Sequence, residues 1–142
     1  MNVYLVGSSL LFTVPMSLAV YVHAWDIWLS LFFLTWTSVI YHSTQNQLFV
    51  YVDFTAVYNL VGQTLRYGYA TDRVWIPVTT VTLDGILYYW GRMTNTFAFH
   101  TNPKIATLSH MAIHLISATG TTLLLLNRDV VDGRNLTHRL EG

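Results

Sequence analysis

Five apolar stretches, at 3–22, 27–43, 49–66, 74–91 and 105–127, are separated only by short polar loops. That spacing limits the fold more than any other feature. A bilayer core of about 30 Å is crossed by roughly 20 apolar residues in a helix. The second stretch is short for a span, and the others come close to the required length. The connections "HAWD", "STQNQL", "RYGYATDR" and "GRMTNTFAFHTNPK" are loop-sized. Short connections make sequential helices antiparallel neighbours. The pattern therefore predicts an all-α, polytopic membrane helix bundle of about five transmembrane helices over 1–127, with a polar tail over 128–142. Only 10% of residues are charged, against roughly 25% in an average soluble domain, which agrees with that class. Trp75 and Trp90 bracket the fourth stretch, and Trp25 and Trp28 mark the first turn, where interfacial aromatics are expected.

The opening stretch, "VYLVGSSLLFTVPMSLAVYV", has no basic flank and is longer than a signal-peptide core. It reads as a retained transmembrane helix. Orientation is read from Lys and Arg. Arg92 and Lys104 fall on the N-terminal side of the bundle; Arg66, Arg73, Arg128, Arg134 and Arg139 fall on the other. The positive-inside rule then predicts a cytoplasmic C-terminus and a non-cytoplasmic N-terminus. The sequon at Asn135 would be silent in that topology. A net charge of zero provides no electrostatic footprint for nucleic acid. The lack of cysteine excludes disulfides, iron–sulfur clusters and thiolate metal sites. A metal would have to use His and carboxylate.

Polar residues inside apolar helices are costly and point to function. Ser38 and His42 are four apart on one face of the second helix, in its last turns. Asp53 opens the third helix. His110 and His114 repeat the four-residue spacing in the first turns of the fifth helix. All five residues are thus expected at one depth, on the N-terminal side. Each has an ordinary alternative. Ser38 could bond its own backbone, Asp53 could be a helix cap or first-turn acid, and the His pair could be packed and hydrogen-bonded. Together, three neutral imidazoles can hold one zinc ion and leave a fourth position open. Zinc so held lowers the pKa of water to about 7. A nearby carboxylate can pass on a proton, and a serine hydroxyl can steady a developing oxyanion.

The ordered set "SVIYH" (Ser38 to His42), Asp53 eleven residues on, and "HMAIH" (His110 to His114) resembles the CREST membrane hydrolase superfamily. That group includes alkaline ceramidases and adiponectin-receptor-like proteins, and the His-to-Asp spacing is most similar to the ceramidase branch. The resemblance implies zinc on His42, His110 and His114, with Asp53 and Ser38 as catalytic residues beside it. It implies hydrolysis of an amide, or in some branches an ester-type bond, in a membrane lipid. The family has seven helices; this chain would be a shortened, five-helix form, the missing pair falling between Asp53 and His110. Met111, Ala112 and Ile113 stand inside the His pair, where the family often has an aromatic residue.

A reading from another class is a non-catalytic accessory subunit of a larger respiratory or photosynthetic membrane complex, derived from this fold, with other membrane subunits as partners. Asp84, stranded mid-segment in "TVTLDGILYYW", would then contact a neighbouring chain; otherwise Arg66 or Arg92 reaches it, or it is protonated. Axial ligation of haem or chlorophyll accounts for His42 opposite His110 but leaves His114, Asp53 and Ser38 unexplained. His100 is expected in a solvated loop, His23 at an interface and His138 in the tail. No polar stripe suggests a channel.

Overall fold

The computed structural model describes residues 2–127, and these are all-helical: five helices joined by short turns, with no strand among the described residues. The tail at 128–142, with its three arginines, His138 and sequon, lies outside them. The helices are α1 (Val3–Tyr21), α2 (Trp25–Thr44), α3 (Gln47–Ala70), α4 (75–94) and α5 (Pro103–Leu126).

Asparagine sets three of the starts. Asn2 Oδ1 accepts from the Leu5 amide, Asn46 Oδ1 from Leu48 and Asn102 Oδ1 from Lys104, which satisfies amides that a helix start leaves open. Pro103 follows its cap at the first helical position, where its missing N–H costs nothing. The turns use the left-handed backbone region: His23, Gln45, Asp72 and Asn95 have φ between 53° and 57°. Two helices are irregular. Pro15 removes an N–H and crowds the carbonyl four residues earlier, and α1 tightens to a 3-10 turn over Leu10–Phe12. In α4 the regular helix Trp75–Gly85 widens to a π-helical stretch, Ile86–Trp90, before its last turn, Gly91–Thr94.

The second helix is longer than its apolar run suggests, because Trp25 and Asp26 form its first turn and Thr44 its last. The third extends to Ala70, so most of the expected loop "RYGYATDR" is helical. Asp53 is consequently not a cap or a first-turn acid. Asn46 caps α3, and Asp53 lies nearly two turns in.

The helices close into a ring. The N-terminal helix packs between α2 and α5, α2 packs on α3, α3 on α4, and α4 on α5. The core of Phe12, Ala19, Ile27, Leu31, Leu34, Ala56, Leu60 and Leu125 is buried. Among these side chains lie the buried hydroxyls of Ser30, Thr35, Thr64 and Thr121. Each donates to a carbonyl of its own helix, which removes the cost of burying it. The outside is apolar: Trp25, Phe33, Trp36, Tyr58, Trp75 and Trp90 are all more than half exposed. Of the five expected spans, two helices are long and apolar enough to cross a membrane. Val3–Tyr21 has a mean hydropathy of 1.8 and Pro103–Leu126 of 1.3. Asn59, Gln63, Thr64 and Arg66 interrupt α3, and two prolines, Pro15 and Pro77, mark α1 and α4.

Candidate metal centre

His42 occupies the last turn of α2, and His110 and His114 occupy the third and fourth turns of α5. The start of α1 draws these two ends together. Helix ends leave carbonyls without partners, and the Asn2 amide donates to the His42 carbonyl at 3.1 Å. The Asn2 side chain meanwhile caps α1 and donates to Thr107 Oγ1 on α5 at 3.0 Å. One residue thus ties three helices at the mouth of the site.

Three imidazoles converge there. One ligand nitrogen from each of His42, His110 and His114 lies within 4.8 Å of the others. Ring centroids are 4.9 Å apart for His42–His110 and His110–His114, and 5.5 Å for His42–His114. His42 and His114 are 4% and 6% exposed, so water does not satisfy them. The fit to a metal is tested by what those rings lack. The buried His42 Nε2 has no hydrogen-bond partner, and such an atom is costly unless something coordinates it. The donor set is all nitrogen and neutral, which suits zinc and other borderline transition metals.

Ser8, on α1, holds His114 from the outside. The Ser8 hydroxyl donates to the Leu5 carbonyl at 3.0 Å. Its Oγ also lies 2.8 Å from His114 Nδ1, and which of the two donates follows the tautomer of the ring. With Nδ1 as the donor, Nε2 keeps its lone pair, the tautomer that ligation through Nε2 requires. Phe12, with its ring centroid 5.6 Å from that of His114, covers the same side.

Ser38 and Asp53 lie beside this group without joining it. Ser38 is 1% exposed, one turn before His42, and is hydrogen-bonded to Ser9 Oγ at 3.1 Å. Asp53 is not among the groups within 4.8 Å of one another. Its Oδ1 accepts from Thr37 Oγ1 of α2 at 2.9 Å. The residues that sequence reasoning passed over are therefore Asn2, Ser8, Ser9 and Thr37. The "GSS" of Gly7 to Ser9 inside an apolar run carried a signal, since hydroxyls there need partners. Thr37 had none beyond its place next to Ser38.

The remaining polar residues are also placed. Asp84 is not met by an arginine: Ser117 Oγ donates to its Oδ2 at 2.5 Å, and Arg66 pairs with Asp26 at the opposite end of α2. His100 is half-buried after a 3-10 turn, Phe97–Phe99, and its Nδ1 accepts from the Asn102 amide at 2.8 Å. Comparison with known protein families, curated proteins and solved structures finds no match to this chain.

Proposed function

We propose that the chain is a zinc-dependent integral membrane hydrolase, acting on an amide or ester bond of a membrane lipid in the manner of a ceramidase. It would be a five-helix form of the CREST architecture. The observation that carries this reading is the meeting of three neutral imidazoles from two helices, with a buried His42 Nε2 that no protein group satisfies. His42, His110 and His114 would hold the ion. Zinc in such a site polarises a carbonyl and makes water nucleophilic at neutral pH. The protein's own residues do the rest. Asp53, tethered by Thr37, takes a proton and returns it to the leaving amine or alcohol. Ser38, on the face that carries His42, donates to the oxygen that gains charge at the scissile carbonyl. Ser8 keeps the His114 ring in register.

Several features support a membrane setting. Two helices have the length and hydropathy to span, and the exterior of the ring is apolar and aromatic. All helix ends that contribute to the metal centre face one side, which the charge bias assigns as non-cytoplasmic. A lipid whose headgroup lies at that interface presents its bond at the depth of His42, and the outer face of the ring accommodates its chains.

The test is metal content. Protein purified in detergent is expected to carry about one zinc per chain by mass spectrometry, as in three-ligand catalytic sites. The His110→Ala/His114→Ala variant should carry none. The loaded protein should then release fatty acid from a ceramide. Absence of zinc in both proteins would overturn the reading. Zinc without hydrolysis of any amide or ester lipid would leave the metal as a staple, and the accessory-subunit reading would lead.

A further inference from the structure

A second polar site lies away from the histidines. Where α3, α4 and α5 meet, a cavity of about 40 Å³ is bordered by Thr64, Thr80, Asp84, Ser117, Gly120 and Thr121, among apolar side chains. Gly120 makes this approach close, because a Cβ there would sit 2.1 Å from Thr80 Oγ1. The volume is enough for one small ion with a water, since a water needs about 10–15 Å³ on this measure.

The cavity's walls accept hydrogen bonds and offer none from side chains. Asp84 Oδ1 is buried and has no partner. The hydroxyl proton of Ser117 is donated to Asp84 Oδ2. Those of Thr64, Thr80 and Thr121 are donated to the carbonyls of Leu60, Ile76 and Ser117 in their own helices. No Lys, Arg or His borders the cavity. A proton on Oδ2 leaves Oδ1 an unmet acceptor; a proton on Oδ1, a water or a cation would each draw on the oxygen lone pairs that line the cavity. A cation is the group that draws on several of those lone pairs at once.

The charge of that centre follows from the wall. One carboxylate is the single ionisable group there, so a monovalent cation makes the site neutral. A divalent ion would leave a net positive charge among apolar side chains, which is costly. Carboxylate and hydroxyl oxygens are hard donors and exclude soft metals. Sodium, the smaller of the two common alkali ions, fits this space together with a water. We propose that Asp84, with the hydroxyl oxygens around it, binds a sodium ion that locks α4 to α3 and α5. This site shares no residue with the histidine centre and does not depend on the proposed hydrolysis.

The test is thermal unfolding of the detergent-purified chain in increasing NaCl, at ionic strength held constant with choline chloride. Sodium should raise the midpoint by about 3–6 °C and saturate, as expected for a ligand of the native state. Choline alone should not. Radiolabelled sodium should bind the wild-type chain and be displaced by unlabelled sodium. The His110→Ala/His114→Ala variant should keep the effect, and Asp84→Asn should lose it. Absence of both sodium binding and a sodium-specific shift in the wild type would overturn the proposal. So would a shift of equal size in Asp84→Asn. Should Asp84→Asn fail to fold, Thr80→Val, which removes one oxygen and keeps the shape, should weaken sodium binding; unchanged binding there would also overturn it.

Discussion

Ser8 engages Nδ1 of His114, and it does so from another helix. Its hydroxyl lies within hydrogen-bond distance of both the Leu5 carbonyl and His114 Nδ1, and accepts from the ring when Nδ1 carries the proton. Ser8→Ala removes that acceptor and frees the imidazole to rotate or change tautomer. Loss of such an outer partner commonly costs 10–100-fold in metal affinity, and a drop of about that size is expected in a competition titration with a chelator. Ser8→Thr, which keeps the hydroxyl, should restore it. Asp53 gives the complementary case. Because it stands outside the imidazole group, Asp53→Asn should leave zinc content unchanged and lower turnover, about 10²–10⁴-fold if it carries the proton. Equal loss of metal and activity would instead make it a structural support. Both residues matter through contacts that an i, i+4 reading does not contain.

At the level of elements, the packing of α4 on α5 rests on a missing side chain. Thr80 fills the space over Gly120, with Oγ1, Cγ2 and Cβ all within 2.9 Å of where a Cβ would be. Gly120→Ala must push the helices apart or turn Thr80 off its rotamer. Overpacking of this kind costs about 1–3 kcal/mol, so a clear fall in the thermal midpoint is expected. Gly62→Ala is the control, since a Cβ there meets nothing within 4 Å; its midpoint should hold or rise. Helix existence was legible in the sequence, because apolar runs separated by short polar stretches report local structure. Helix ends were less so. Ala70 and Thr44 extend their helices through polar residues that pack or bond within the turn, which apolar run length does not register.

For the whole molecule, the chain lacks cysteine, so single cysteines report topology without background. Thr101→Cys lies in the exposed α4–α5 connection and Ala70→Cys at the exposed end of α3, at opposite ends of the bundle. In intact cells a membrane-impermeant maleimide should label Thr101→Cys, while Ala70→Cys should react only after permeabilisation. Labelling of both in intact cells would mean that the ring does not span the bilayer. The reverse pattern would invert the charge-based orientation.

Local order was readable from one dimension. The number of helices, their short turns and the facing of Ser38 with His42 and of His110 with His114 follow from 3.6-residue periodicity and from side chains that must avoid or seek lipid. The convergence of two such pairs was an inference from threading them to one side, and the ring of helices brings three of those residues within reach of one ion. What only the tertiary structure decided are the contacts between residues far apart in the chain. Asn2 reaches Thr107, Ser8 reaches His114, Thr37 reaches Asp53, and Ser117 reaches Asp84. A hydroxyl's local sequence shows that it needs a partner. Which helix supplies that partner depends on how the ring closes, and closure is set by the fit of all five helices at once.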